Sequence, residues 1–331
     1  MNLQIAYNGD FYIDPIVTSV TWSGDIKQAF RKLELSISNT ENGDNPIITF
    51  EKGKPLVLSK DDKELFRGVI FSHSMELDGT MKLTAYDENI YLTKNMDTKK
   101  FVNMTASEII GQLCSEYDIL VGSIQDTGYV LPKLILRDKT LWDMMITALT
   151  ETKKQTGRRF FIYSEQGKLF VKERKERVVE WVLQNGFNIL GASYSESIED
   201  LRNQVKVYSG DINKGPYDEE IEHDDQSIEK YGLMQHLETA SNDQKQSQLK
   251  QLAKQLLKDL NKVSEEASIE ALGHDGVISG TSVDVTEAMT GMKGAYYVVT
   301  DSHTFENNMH RMQVTLSEKE ELPTLEYTEQ E

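Results

Sequence analysis

The chain has 331 residues, 54 acidic against 36 basic, and a formal net charge of -18 with a pI near 4.8. That balance repels phosphate backbones and anionic membrane surfaces, so neither free nucleic-acid binding nor membrane docking is expected. No apolar run reaches membrane-spanning length, the N-terminal segment shows no secretory pattern, and the single cysteine, Cys114, rules out an internal disulfide or a cysteine-based zinc site.

The length suits two or three domains. The first of them, 1–97, reads as β. Val17 to Trp22, Leu33 to Ile37, Ile47 to Phe50, Leu56 to Leu58, Leu65 to Phe71 and Met81 to Tyr86 are short apolar runs between Gly, Asn and Asp. Asp78-Gly79 supplies the positive φ of a tight hairpin. Many short strands with regular turns predict a small barrel.

Texture changes over 98–187, which reads as a small α+β module. Thr105 and Glu108 are spaced as a capping box, and Ile109, Ile110, Leu113 and Tyr117 then share a helical face. A second helix opens at Thr140 with Leu141, Met144, Met145, Ala148 and Leu149 at helical spacing. Arg159 to Tyr163 and Lys168 to Val171 predict a hairpin.

The span 188–320 returns to β, with Asn188 to Tyr194, Asn203 to Tyr208, Ala267 to Leu272, Thr281 to Val285, Tyr296 to Val299 and Met312 to Leu316. Inside it, 211–229 holds eight acidic residues and one lysine and predicts a solvated loop. The stretch 244–263 carries Leu249, Leu252, Leu256, Leu257, Leu260 and Val263 in one stripe of an amphipathic helix, expected to pack on its own domain. An acidic tail, 321–331, ends the chain.

Two segments look alike. Gly68-Val69-Ile70-Phe71-Ser72-His73-Ser74 with Met81-Lys82-Leu83-Thr84 matches Tyr297-Val298-Val299-Thr300-Asp301-Ser302-His303-Thr304 with Met312-Gln313-Val314-Thr315. Aligned on the Ser-His triplets, they suggest a duplicated β unit.

Chemical motifs are few. Ser72-His73 and Ser302-His303 are neighbours on strands and face opposite sides, so neither forms a nucleophile–base dyad. His223-Asp224-Asp225 lacks the further ligands of a metal site. The carboxylates fall in runs rather than as a placed pair for glycoside hydrolysis. Basic residues cluster over 153–177, at Lys153, Lys154, Arg158, Arg159, Lys168, Lys172, Arg174, Lys175 and Arg177, beside Phe160, Phe161 and Phe170. The cluster reads as the outer face of a hairpin, a docking patch for an acidic neighbour, or a nucleic-acid surface. Trp22, Trp142 and Trp181 do not gather as a carbohydrate-binding platform would. Cys114 reads as a core thiol. No residue is assigned a catalytic, cofactor-binding or metal-binding role.

Phe66-Arg67-Gly68-Val69-Ile70 through Leu83-Thr84-Ala85-Tyr86-Asp87, Tyr91-Leu92 and Thr105 to Ile110 form one recognisable stretch. Ser195 to Asp200 with Arg202-Asn203-Gln204-Val205-Lys206-Val207 form another. In these and in layout the chain resembles the XkdQ/YqbQ-like hub proteins of contractile phage tails, defective prophages and tail-like bacteriocins. The resemblance implies a mainly β protein with two similar small β-barrel modules, an α+β insert and one long amphipathic helix. It implies a non-enzymatic structural role without cofactors, as a homotrimer adapting a six-fold tail tube to a three-fold spike. The implied partners are the tube or tube-initiator protein, the central spike and the baseplate wedges. The implied location is the baseplate of a particle assembled in the bacterial cytoplasm.

Overall fold

The computed structural model describes residues 2–9, 11–174, 181–209, 218–240, 245–319 and 322–327. Seven strands come first: β1 Leu3–Tyr7, β2 Phe11–Tyr12, β3 Val17–Asp25, β4 Lys32–Ser38, β5 Pro55–Lys60, β6 Lys63–Met75 and β7 Thr80–Tyr86. The insert follows with α1 Ile90–Lys94, β8 Met96–Thr105, α2 Ala106–Glu116, β9 Val121–Ile124, β10 Val130–Thr140, α3 Leu141–Thr156, β11 Phe160–Glu165 and β12 Lys168–Glu173. Next come β13 Trp181–Gln184, β14 Ile189–Ser197, β15 Gln204–Ser209, β16 Asp218–His223, α4 Asp225–Tyr231, β17 Gln235–Ala240 and α5 Gln246–Leu260. The chain closes with β18 Ser264–Leu272, β19 Ser282–Thr286, β20 Lys293–Glu306 and β21 Met309–Ser317.

Alternation builds the first β set. In β4, Leu33, Leu35 and Ile37 point inward while Lys32, Glu34 and Ser36 stay partly wet. They meet Ile5, Leu56, Leu58, Ile70 and Leu83 in one core. The β6–β7 hairpin closes over Asp78-Gly79, with Gly79 at φ +82° and the Asp78 carboxylate accepting the Thr80 N–H at 2.8 Å. Ile47 to Phe50, expected as a strand, is not one. The Asn39 side chain takes the place of a neighbouring strand there: its amide donates to the Ile48 carbonyl at 2.8 Å and its oxygen accepts the Ile48 N–H at 2.9 Å.

The insert packs around α3, whose side chains are buried on nearly every face from Leu141 to Thr152. Its hydroxyls are satisfied within the helix: Thr147 donates to the Asp143 carbonyl at 2.7 Å and Thr152 to that of Ala148 at 2.9 Å. The capping box forms at α2, where Thr105 accepts the Glu108 N–H at 3.2 Å and Glu108 accepts the Thr105 N–H at 2.7 Å.

The two β sets are not separate sheets. Their strands join in one 13-stranded sheet, because β20 hydrogen-bonds to β21, β19 and β3. Within it a duplication is plain. The first set runs β1-β5-β6-β7-β4-β3 and the second β13-β19-β20-β21-β18-β14. Counted in chain order, each is first-fourth-fifth-sixth-third-second. The irregularities match as well. Gly53, at φ +81°, donates to the Ile70 carbonyl at 2.7 Å, and Ile70 donates to Lys54 at 3.0 Å. Gly280, at φ +94°, donates to Val298 at 3.0 Å, and Val298 donates to Thr281 at 3.0 Å. One residue further on, each fifth strand bulges against the sixth, between Ile70 and Ser72 and between Val298 and Thr300. The sets differ at their first strand, since β1 is antiparallel to β5 and β13 parallel to β19.

The bulge fixes Phe71 against Val299. The Ser-His triplets therefore do not superpose, as their alignment had assumed. His73 falls at the place of Asp301 and Met75 at that of His303, while Met81 to Thr84 does align with Met312 to Thr315.

Residues 193–267, within the span expected as the second barrel module, form a compact unit of their own. The sheet β16-β15-β17 is covered by α5, whose Leu249 and Ala253 are buried against Val205 and Val207. The acidic run is not a loop where described: 218–223 is β16, paired with β15, and 225–231 is α4, capped by Asp224 accepting the Ser227 N–H at 3.0 Å. The carboxylates lie on both faces of the strand: Glu219 is exposed and held by Lys206 at 2.5 Å, while Glu220 and Glu222 are half-buried on the face toward α5, where Gln246 donates to Glu220 at 2.7 Å. Residues 210–217, and 321 and 328–331 of the acidic tail, lie outside the described residues.

Candidate functional site

The most elaborate polar arrangement lies where the two β sets meet. The outer half of β20, Thr300 to Glu306, pairs antiparallel with Asp25 to Ser19 of β3, placing His303 opposite Trp22 and Asp301 opposite Gly24. Asp301 is fully buried and grips Arg31 in a two-pronged ion pair, one contact of which is 2.9 Å. The Ser279 N–H donates to it at 2.6 Å, and the guanidinium lies 4.2 Å over the Trp22 ring. Burial alone would raise the Asp301 pKa, but the Arg31 charge and the His303 hydrogen bond outweigh it and hold the carboxyl well below the usual range.

Behind the pair, His303 Nε2 lies 3.0 Å from the Val277 carbonyl and its Nδ1 3.0 Å from His310 Nε2. With Nε2 donating to the carbonyl, Nδ1 accepts from His310. His310 stacks on Phe305 at 4.1 Å, and a Cβ on Gly273 would overlap its ring. Burial, then the neighbouring His303 and Lys60, push His310 down to about 4. Lys60 itself bonds Asp275 at 2.8 Å. These are the contacts of a closed structural seam.

A cavity of about 560 Å³ opens beside it, lined by Trp22, Arg31, Asp87, Phe161, Tyr163 and Ile278 among others. Burial pushes Asp87 up to about 7. A carboxyl so tuned in a cavity is a form that general acids take. Here its two oxygens already accept the Arg31 and Asn89 N–H groups at 2.9 and 3.0 Å, which anchors the turn into α1.

The residues singled out by sequence scatter. Ser72 and His73 are exposed on the outer half of β6, whereas His303 is buried with both ring nitrogens engaged. His223 contacts Asp225 at 3.3 Å, and among the described residues no group of three or more metal-type side chains gathers. Cys114 is buried, and burial pushes its thiol up to about 11. In the basic stretch, Arg158 bonds Glu173 at 2.8 Å, Lys154 bonds Glu151 and Glu326, Lys172 lies 5.1 Å over Tyr163, and Arg174 lies 4.5 Å over Tyr297. Lys175 and Arg177 lie outside the described residues. Sequence reasoning missed Arg31, Asp87, Asp301 and His310, whose partners are distant in the chain and carry no local signature.

Comparison with known proteins agrees with this architecture. Protein XkdQ of the phage-like element PBSX of Bacillus subtilis (strain 168) is 35% identical over 314 residues, covering 94% of this chain and 95% of the relative. Protein YqbQ of the same bacterium is 36% identical over 314 residues with the same coverage. The 43 kDa tail protein of prophage MuSo2 from Shewanella oneidensis superposes with a TM-score of 0.70 at 12% identity, covering 96% of this chain and 98% of that one. A tail protein from Neisseria meningitidis MC58 gives 0.66 at 15%, over 96% and 97%. The E. coli c3393 protein, a component of the type VI secretion system, gives 0.55 at 9%, over 99% and 80%. At these identities the likeness to solved structures is one of fold. The sequence profile of the YqbQ-like family matches residues 20–317, and the chain belongs to that family.

Proposed function

We propose that the chain is a structural tail protein, the hub subunit of a contractile phage tail or tail-like bacteriocin baseplate, and that three copies close into a ring. The observation that carries this reading is the matched pair of six-strand sets, alike in strand order, glycine turn and bulge. Two like modules per chain give three chains six near-equivalent positions, which suits an adaptor between a six-fold tube and a three-fold spike. The relative in a phage-like element and the tail-protein fold support the same reading. The partners are then the tube or tube-initiator protein, the spike and the baseplate wedges, in a particle assembled in the bacterial cytoplasm. The excess of acidic residues suits a channel wall that DNA passes without sticking.

Light scattering and negative-stain imaging of the purified chain, alone and with the spike protein, test this. A particle of three copies is expected. A chain that stays single at all concentrations and ignores the spike refutes the hub role. A clear zone on a peptidoglycan gel that disappears on changing one carboxylate would replace it with a wall hydrolase.

A further inference from the structure

The seam between the two β sets is a joint with two halves, and the chain carries a second, unused example of each half. One half is the outer end of a fifth strand, beyond the reach of the fourth. In β20 this is Thr300 to Glu306, past the end of β19. The other half is the free edge of a second strand, the side away from the third. In β3 this edge faces β20. Joined, they are dry: Asp301, His303 and Phe305 are buried in alternation.

The first set has the same outer end on β6, from Ser72 to Met75, past the last pairing with β5 at Val69. Among the described residues no strand lies on that side. Ser72, His73, Ser74 and Met75 are all exposed, and Leu77 just beyond them is wholly so. The second set has the same free edge on β14, the last strand of the sheet beside β18. Leu190 and Tyr194 of β14 are 51% and 40% exposed. An uncovered edge with apolar side chains at its rim invites pairing with another chain.

The two second strands also match in sequence. β3 and β14 are each nine residues long, with Trp22-Ser23 and Tyr194-Ser195 at the same positions. We infer that β6 of one copy pairs antiparallel with β14 of a second copy, repeating between chains the joint that β20 and β3 make within one. The bulge equivalence of β6 with β20, taken with the matched positions of β14 and β3, sets the register. Asp301 opposite Gly24 becomes His73 opposite Glu196; Ser302 opposite Ser23 becomes Ser74 opposite Ser195; His303 opposite Trp22 becomes Met75 opposite Tyr194. That register sets an imidazole against a carboxylate and a thioether against an aromatic ring, both favourable cross-strand pairs. The contact is head-to-tail, so each copy uses one surface of each kind and the pattern continues until it closes. This inference rests on the ring reading and names the surface by which the ring is made.

Paired cysteines test it. Residues directly opposite in antiparallel strands lie about 4.5–5.5 Å apart, within reach of a disulfide. Ser74→Cys with Ser195→Cys, under mild oxidation, is expected to yield covalent dimers and trimers on a non-reducing gel. Ser23→Cys with Ser302→Cys is the control and closes within one chain. Buried Cys114 stays silent in both. His73→Glu is expected to weaken self-association about tenfold, and adding Glu196→Lys to restore it. If light scattering shows three copies and the control closes, but the Ser74/Ser195 variant stays uncrosslinked and His73→Glu has no effect, the strand joint is wrong and the ring survives. If the chain is single throughout, both are wrong.

Discussion

Replacing Asp301 by Asn removes the negative half of the buried pair while keeping its shape and an oxygen for the Ser279 N–H. The Arg31 guanidinium is then left charged, its side chain only 15% exposed, against a neutral amide. Breaking a buried pair from one side costs about 3–5 kcal/mol. The partial exposure of Arg31 and its stacking on Trp22 favour the lower end, about 3 kcal/mol. At a urea slope of about 3 kcal/mol/M, that lowers the midpoint by about 1 M. Tryptophan fluorescence is the natural probe: Trp22 lies beneath Arg31, and residues 193–267 contain no tryptophan, so only the unit of residues 1–192 and 268–331 is read. Arg31→Met alone strands a buried carboxylate and is expected to cost as much. The double variant removes both charges and is expected to be more stable than either single one, with a coupling of about 2 kcal/mol or more. A cost below about 1 kcal/mol for Asp301→Asn, or strictly additive singles, would show that the pair does not hold the seam.

Acidification probes the same seam through His310. Its folded pKa, about 4, lies below the unfolded value, so its contribution is complete above about pH 6.5 and fades as the pH falls toward 4. The full effect is at most about 3 kcal/mol. Asp87, raised to about 7, acts oppositely, because its burial penalty is relieved over the same interval. Melting curves at pH 7 and 5 are expected to show that His310→Gln loses less stability on acidification than the parent; an unchanged difference refutes it. Gly53→Ala is expected to cost about 1–2 kcal/mol from backbone strain alone, since nothing lies within 4 Å of the added carbon. Gly280→Ala costs more, because Ile26 Cδ1 stands 3.2 Å away, and equal midpoints in urea would contradict this. Cys114 is expected to resist a thiol reagent at pH 8 until denaturant is added; labelling within minutes in the native state refutes its burial.

Alternation and turn residues made most strands and helices legible, because a half-buried strand writes its pattern at every second position. The failures have local causes. Ile47 to Phe50 has a strand's composition, but the Asn39 side chain takes both backbone groups of Ile48, where a neighbouring strand would pair. The acidic run looked like a solvated loop because carboxylates on both faces of β16 hide the alternation of a strand. The duplication was half visible. Its return strands align, but the Ser-His triplets misled by two residues, and the bulges that set the true register leave no mark in composition. Gly53 and Gly280 were the better landmarks, since both must adopt positive φ. The seam was invisible: Arg31 and Asp301 are ordinary charged residues until the sheet brings them together.

β20 belongs to both β sets at once, and that has a mechanical meaning. Where two modules are tied by a flexible tether, a tug on one stretches the tether before the other feels it. Here the tie is a single strand stitched to β19 on its inner half and to β3 on its outer half. A load applied along it is met in shear by every backbone bond of the joint together, not one after another. The halves therefore transmit a push or a twist as one stiff plate.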